Sequence, residues 1–402
     1  MNVIQSPNKR LSSGSTDQPD VDFSIVMPCL NEAETLAVCI TKAFHGLNEA
    51  GVKGEVLIAD NGSSDGSQEI AKRNGARVID VADKGYGNAL RSGIKEARGK
   101  WFIMGDADDS YDFSRIGEFV KELKNGNDLV MGCRLPKGGG TIMPGAMPWK
   151  HRWIGNPVLS FIGRLFFRSN VDDFHCGLRG GSKAAIEGLG LNTTGMEFAS
   201  EMVIKAAFKD LQIAQVPITL HKDGRTRAPH LRSWRDGWRH LRFMLLYSPR
   251  WLFLYPGLLM MVVGLFVSGL LLAGPKTIAG VTFDVHTLVY FLFAISLGLQ
   301  TVFFGMLTKS FAIREGLLPD DEKMNYVRRI FSLEAGLVMS AALIVTGIAF
   351  GGFALLRWSN SDFGAMDTSS TMRLVLPSVL AMVTGVQLIF NSFFLSVLHL
   401  KR

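Results

Sequence analysis

From Phe23 to about Leu220, short apolar runs alternate with stretches whose apolar residues recur at helical spacing. Phe23 to Met27 precedes a helix from about Glu32, and Glu55 to Ala59 precedes one from near Gly66. Arg77 to Val81 leads into a helix over about Tyr86 to Ala97, and Trp101 to Met104 forms a fourth run. Strands alternating with helices predict an α/β domain with a mainly parallel sheet covered on both faces. After about residue 250 the pattern changes. Leu252 to Ala273, Thr287 to Thr308, Ala335 to Leu356 and Leu374 to Leu398 hold no charged residue, and each is long enough to cross a bilayer as a helix.

Between the second and third of these stretches lie Lys309, Arg314, Lys323, Arg328 and Arg329. The positive-inside rule therefore puts that loop in the cytoplasm, together with the α/β domain and both termini. Leu231, Trp234, Trp238, Leu241 and Leu245 share one helical face, with Arg235, Arg239 and Arg242 on the adjacent stripe. Such a helix suits the headgroup layer. The predicted organisation is a disordered polar N-terminus over 1–21, an α/β domain over 22–228, an amphipathic interface helix over 229–250 and an all-α domain of four transmembrane helices over 251–402.

Charge and cysteines narrow the class. Lys and Arg number 43 against 36 Asp and Glu, a net +7, and much of the excess falls between Lys222 and Arg250. A basic belt beside a membrane accounts for it, and no nucleic-acid motif accompanies it. The first residues lack the apolar core of a signal peptide, consistent with a cytoplasmic domain. Cys29, Cys39, Cys133 and Cys176 have no metal-ligand spacing.

In parallel α/β sheets ligands gather at the carboxyl ends of the strands, and polar clusters recur there. "PCLNE" (Pro28 to Glu32) ends the first run, "DNGSSDGS" (Asp60 to Ser67) the second and "GDADD" (Gly105 to Asp109) the fourth. Any one cluster also has a local explanation: Pro28 and Asn31 turn the chain, and Asp65 with Gln68 has the form of a capping box. "KGYGNAL" offers Gly85 and Gly87, but the third glycine of a dinucleotide fingerprint is replaced by Leu90 and the motif follows the third strand, which excludes a Rossmann dehydrogenase. In "GDADDSYDF", Asp106, Asp108, Asp109 and Asp112 fall within seven residues. Two carboxylates one residue apart at a strand end suit Mg²⁺ or Mn²⁺, hard cations shared with a substrate's phosphates.

These motifs, in order, resemble the inverting glycosyltransferases of family 2. "DFSIVMPCLNE" is similar to the family's first strand, "VLIADNGSSDGS" to its nucleotide-binding loop and "GDADD" to its DXD motif. A GT-A fold is implied. So is a nucleotide-sugar site made of Pro28, Asn31, Glu32, Asp60, Asp65, Gly87, Asn88 and Asp106, with Asp106 and Asp108 as metal ligands. "GCRLPKGGG", "WKHRWIGN", "DDFHCGLRG" and "QVPITLHKDGRTR" more closely resemble polyprenyl-phosphate glycosyltransferases of the dolichyl-phosphate mannose synthase type. By that resemblance Arg134, Arg152, Asn156 and Arg225 bind the acceptor phosphate, and Asp108 and Arg134 are the catalytic pair. The implied reaction moves a single sugar from a nucleotide-diphosphate donor to a dolichyl or undecaprenyl phosphate, with inversion; a homo-oligomer is compatible with it. Ser110 stands where relatives often have Gln, and His175 and Cys176 replace small residues. Two alternatives are a processive polysaccharide synthase, whose Gln-x-x-Arg-Trp motif is missing here, and a non-catalytic nucleotide-sensing membrane protein.

Overall fold

A computed structural model describes residues 21–226, 233–322, 324, 326 and 332–398. The predicted N-terminal segment, except Val21, and Leu231 of the predicted interface helix lie outside the described residues, as do the side chains of Trp234 and Arg235. The chain divides into two compact units. One holds the described residues of Met1–Phe161, Asn170–Ala206 and Asp210–Leu231; the other holds those of Ile162–Ser169, Ala207–Lys209 and Arg232–Arg402.

The first unit is built on β1 (Phe23–Cys29), whose apolar side chains are buried on both faces as a central parallel strand requires. In chain order there follow α1 (Leu36–Glu49), β2 (Gly54–Asp60), α2 (Ser67–Arg73), β3 (Arg77–Asp80), α3 (Tyr86–Glu96), β4 (Trp101–Met104), α4 (Gly117–Lys124) and β5 (Leu129–Cys133). Then come β6 (Thr141–Ile142), α5 (Asn156–Phe167, which passes into the other unit from Ile162), β7 (Arg179–Ser182), α6 (Lys183–Glu187), α7 (Phe198–Phe208, whose Ala207 and Phe208 belong to the other unit), β8 (Ile213–Pro217) and β9 (Thr219–Leu220). The seven-stranded sheet runs β3-β2-β1-β4-β7-β5-β8. Register brings Cys29 opposite Asp60 and Val26 opposite Met104, so the ends of β1, β2 and β4 open on one edge.

β7 departs from the parallel pattern. It enters between β4 and β5 antiparallel to both, with Arg179 opposite Met104 and Met131. The segment just before it, Asp172 to Leu178, is thereby delivered to the edge where the parallel strands end. Under the sheet, Phe23, Ile25, Met27, Leu36, Ile40, Ile58, Ile103, Phe113 and Phe119 form a closed apolar core.

The second unit opens with α8 (Ser233–Leu246) and a π-helical turn, Arg250–Leu254, leading into α9 (Tyr255–Leu272). A hairpin of β10 (Lys276–Ile278) and β11 (Val281–Phe283) joins α9 to α10 (Val285–Arg314), and α11 (Leu333–Ser359) and α12 (Thr368–Leu398) follow. Among the described residues, four helices, counting the first from Arg250, have the length and apolarity to cross a membrane. They pair through small residues: a methyl on Gly257 would lie 2.8 Å from the Gly298 carbonyl, and one on Gly347 2.8 Å from the Ser378 carbonyl. Without hydrophobic drive between helices in lipid, such close backbone approach supplies the packing. Ser296 donates to Gln387 at 3.3 Å and Asn391 to Gln300 at 3.0 Å, satisfying those polar groups within the spans.

Candidate active site

The loops after β1 and β2 are tied together by their own polar side chains. Asn31 takes a left-handed backbone conformation, φ 59°. Its amide donates to Ser63 Oγ at 2.8 Å, and its Oδ1 accepts from the Ser64 amide at 2.8 Å. Asp65 accepts from the Ala33 amide through one oxygen and from Ser67 through the other. Asp65 and Gln68 do not form a capping box: Gln68 reaches Asp60 and Asp80 instead, because both acids lie at neighbouring strand ends within its span. Asp65 and Asn31 therefore hold loop to loop, and Pro28 is a partly exposed position of β1 opposite Ala59.

Asp60 is different. Oδ2 accepts from the Gly62 and Ser63 amides and from Gln68, whereas Oδ1 is buried with no partner. Burial pushes its carboxyl up, but the donors from Ser63, Gln68 and Gly62 outweigh it and hold the group below its ordinary range. An ionised carboxylate with one oxygen vacant is a ready acceptor for a ligand N–H or hydroxyl. Gly87 donates its amide to the Thr194 carbonyl at 2.9 Å. Asn88 is buried between the Lys84 carbonyl and Arg91.

The acidic cluster after β4 resolves residue by residue. Asp109, left-handed at φ 63°, turns to Lys42 at 2.7 Å. Asp112 caps the short 3-10 turn Phe113–Arg115 by accepting from the Ser114 amide. Asp108 accepts at Oδ1 from Ser110 Oγ, 2.6 Å, and at Oδ2 from Arg225, 2.8 Å. Asp106 has a hydrogen bond from Tyr86 and an enclosed carboxyl; burial and then the Asp108 charge raise it to about 7.

Two arginines serve this cluster. Arg134, at the end of β5, makes a buried bidentate pair with Asp173, Nε to Oδ2 at 2.7 Å and a terminal nitrogen to Oδ1 at 2.9 Å, while its own amide also donates to Asp173. Its positive charge still reaches Asp106. Arg225 spans Glu32 at 3.2 Å, Asp108 at 2.8 Å and Asp223 at 3.1 Å. The loop carrying it is fixed by the Gly224 amide on the Asp108 carbonyl and by Thr226 on Glu34. In this geometry Arg225 is a counter-ion of the acidic cluster.

Arg152 lies in the π-helical turn His151–Gly155, with its guanidinium 5.4 Å from the Trp153 ring and its Nε buried without a partner. Asn156 opens α5 and donates to Met147 Sδ. Among the described residues, neither bonds to Asp106, Asp108, Arg134 or Arg225.

Lys42, Tyr86, Asp173 and Asp223 also belong to this constellation. Tyr86, Asp173 and Asp223 sat within the quoted "KGYGNAL", "DDFHCGLRG" and "QVPITLHKDGRTR" without being singled out; Lys42 had no local signal.

Among the described residues, no three His, Cys, Asp or Glu side chains gather as a metal cage. Two carboxylates of which one is strained by its neighbour nevertheless fit a hard divalent ion that takes its remaining ligands from water and a diphosphate.

The chain matches the family described as Glycosyl transferase family 2 over residues 24–190 and the Glycosyltransferase family 2 C-terminal transmembrane region over 306–399. It is 36% identical over 386 residues to the low-salt glycan biosynthesis hexosyltransferase Agl6 of Haloferax volcanii, covering 96% of this chain and 90% of that protein. The glycosyltransferase AglJ of the same organism is 27% identical over 214 residues, 53% of this chain and 67% of AglJ. Among solved structures, glucosyl-3-phosphoglycerate synthase of Mycobacterium tuberculosis with Mn²⁺, UDP and glucosyl-3-phosphoglycerate aligns at 21% identity and a TM-score of 0.43, over 56% of this chain and 78% of that one. The protein is a membrane-integral enzyme with an α/β domain, and it belongs to glycosyltransferase family 2.

Proposed function

We propose that the enzyme transfers one hexose from a nucleotide-diphosphate sugar to the phosphate of a dolichyl or undecaprenyl lipid, with inversion, on the cytoplasmic face of the membrane. The observation that carries this is the bridge from Arg225 to Asp108 and Glu32, in a chain with four bilayer-length helices. An arginine seated on the acidic cluster is a phosphate ligand within one side-chain swing of the diphosphate site.

In this proposal Asp60 Oδ1, Glu32 and the Gly87–Asn88 turn hold the nucleoside, and Pro28, Asn31 and Asp65 keep their loops in register. Asp106 and Asp108 would hold Mg²⁺ or Mn²⁺, which when bound offsets the charge of the leaving diphosphate. Arg134, its rotamer locked by Asp173, orients the acceptor phosphate with Arg225, and Arg152 and Asn156 bind its outer oxygens. An acceptor phosphate is already anionic near neutral pH, so positioning and charge complementarity replace a strong general base.

A screen of labelled donors against polyprenyl phosphate in vesicles, followed by lipid extraction, tests the assignment. One sugar per lipid is expected, lost on Asp108→Ala. A polymer would support a processive synthase, and donor binding without turnover a sensing protein.

A further inference from the structure

α7 carries a buried ion pair that no step of the proposed transfer uses. Glu201 and Lys205 sit one helical turn apart, Oε1 to Nζ at 2.8 Å, with side chains 1% and 9% exposed. Taking both charges out of water is costly, and apolar side chains of similar size would pack there at least as well. What the charges add is a grip on the loop ahead of the helix. Glu201 Oε2 accepts from the Asn192 amide at 3.0 Å, the Thr193 amide at 2.9 Å and the Thr193 hydroxyl at 2.7 Å. Lys205 Nζ donates to the Gly190 carbonyl at 2.6 Å. Hydrogen bonds to an ionised partner are about twice as strong as neutral ones, so the pair fastens residues 190–193 to α7.

The next residues of that loop form a floor beneath the Gly85–Asn88 turn. The Gly87 amide donates to the Thr194 carbonyl at 2.9 Å. A methyl on Gly85 would lie 2.3 Å from the Thr194 carbonyl oxygen, and one on Gly87 2.4 Å from the Thr193 carbonyl oxygen and 3.0 Å from Phe198 Cβ. From the other side Asn61, next in sequence to Asp60, accepts from the Gly85 amide at 2.7 Å. The turn is thus held between the end of β2 and a loop anchored by Glu201.

We infer that Glu201, with Lys205 as its counter-ion, is a positioning residue for the donor: it clamps the loop that presets the Gly85–Asn88 turn, and so governs donor affinity rather than the rate of transfer. The inference rests on the proposed role of Gly87 and Asn88 in holding the nucleoside. Among the described residues Glu201 makes no hydrogen bond to Asp60, Asp106 or Asp108, so it acts through the loop.

The test compares the full chain in nanodiscs as wild type, Glu201→Gln, Thr193→Val and Glu55→Gln. Glutamine keeps the shape of Glu201 without its charge. Thr193→Val removes one donor to Glu201 and leaves the buried ion pair in place, so it reads the clamp in a chain whose folding is little disturbed. Glu55→Gln weakens another ion pair, with Arg77 at 2.9 Å, at the start of β2 and away from Asp60. Affinity is measured by calorimetry with Mn²⁺ and whichever of UDP, GDP and ADP the wild type binds tightest, and KM and kcat from labelled sugar in the lipid extract. Hydrogen exchange over residues 84–89 is followed by mass spectrometry. In Glu201→Gln nucleotide affinity is expected to fall and donor KM to rise by about tenfold, because the donor must then order the turn itself, while kcat stays within about threefold. Exchange over 84–89 should quicken several-fold. Thr193→Val should move all of these the same way by less, and Glu55→Gln none of them. Exchange over 84–89 that matches the wild type overturns the inference and leaves the donor reading standing. Faster exchange with unchanged donor affinity overturns the reading that Gly87 and Asn88 hold the nucleoside, and the inference with it. An equal KM shift in Glu55→Gln, or a lower kcat with KM unchanged, makes Glu201 a structural residue only.

Discussion

If Asp108 holds a divalent cation as proposed, Arg225 and that cation would compete for its carboxylate, and Arg225→Gln separates their effects. In the structure Asp108 Oδ2 is held by Arg225 at 2.8 Å, with side chains only 12% exposed on each side. A cation approaching Asp108 without nucleotide must displace one charge-assisted hydrogen bond, of net worth about 1.5–3 kcal/mol. At about 1.4 kcal/mol per tenfold, removing the guanidinium should tighten Mn²⁺ binding to the nucleotide-free protein by roughly ten- to a hundredfold. Glutamine keeps the stem and a donor, so the loop anchored by Gly224 and Thr226 stays in place.

Catalysis should move the opposite way. Without Arg225 the acceptor phosphate loses a positioning charge, and turnover is expected to fall about a hundredfold, the scale for removing one preorganised donor. Mn²⁺ affinity is read from electron paramagnetic resonance of free Mn²⁺, and turnover from labelled sugar in the lipid extract. Mn²⁺ binding that is unchanged or weaker in the variant refutes the competition. Tighter binding with unchanged turnover leaves Arg225 a counter-ion only and removes it from the acceptor site.

Asp173→Asn strips the buried partner of Arg134 and should cost about 3–5 kcal/mol in thermal or denaturant unfolding. Burial raises the Asp173 carboxyl but the Arg134 charge lowers it further, so its folded pKa lies below 3.8; its stabilisation is present above that value and lost as pH falls toward the folded pKa. The wild type should therefore lose stability in that acid window more steeply than the variant, as followed by circular dichroism. Gly87→Ala puts a methyl 2.4 Å from the Thr193 carbonyl, a backbone atom that cannot swing away. A stability loss of about 1–3 kcal/mol is expected, with a raised KM for the donor. In the membrane helices, a double-mutant cycle of Gln300→Leu and Asn391→Leu should give a coupling of about 0.6 kcal/mol, read from unfolding in mixed micelles.

The strands and the spans were legible because each has a period or a length that physics ties to one structure. The run from Phe23 and the uncharged stretch from Thr287 needed no distant partner to be recognised. β7 was not legible: "RGGS" has neither alternation nor an apolar run, and only the space between β4 and β5 makes it a strand. The same limit governs the site. Asp60 and Asp108 announce themselves by position after a strand, whereas Arg225 meets Asp108 across 117 positions and Lys42 meets Asp109 across 67. The exposed apolar stripe of Val158, Phe161 and Leu165 on α5 escaped for another reason: its positions read equally well as core until exposure distinguishes the two faces.

The repulsion among four neighbouring carboxylates is distributed unevenly. Lys42 discharges Asp109, the Ser114 amide takes Asp112, and Ser110 with Arg225 takes Asp108. Asp106 has Tyr86, a neutral donor, and its carboxyl is the one driven up to about 7. The fold has thus compensated every acid of the cluster by short-range contacts except Asp106, next to the Gly177 turn that β7 delivers. A cation shared by Asp106 and Asp108, as proposed, would act where compensation is least complete, and an under-compensated carboxylate in a partly enclosed site would gain most from it. Ser110, which stands where the family resemblance leads one to expect a longer ligand, spends its hydroxyl on orienting Asp108, so in the proposed site the remaining ligands of the cation would come from the substrate side.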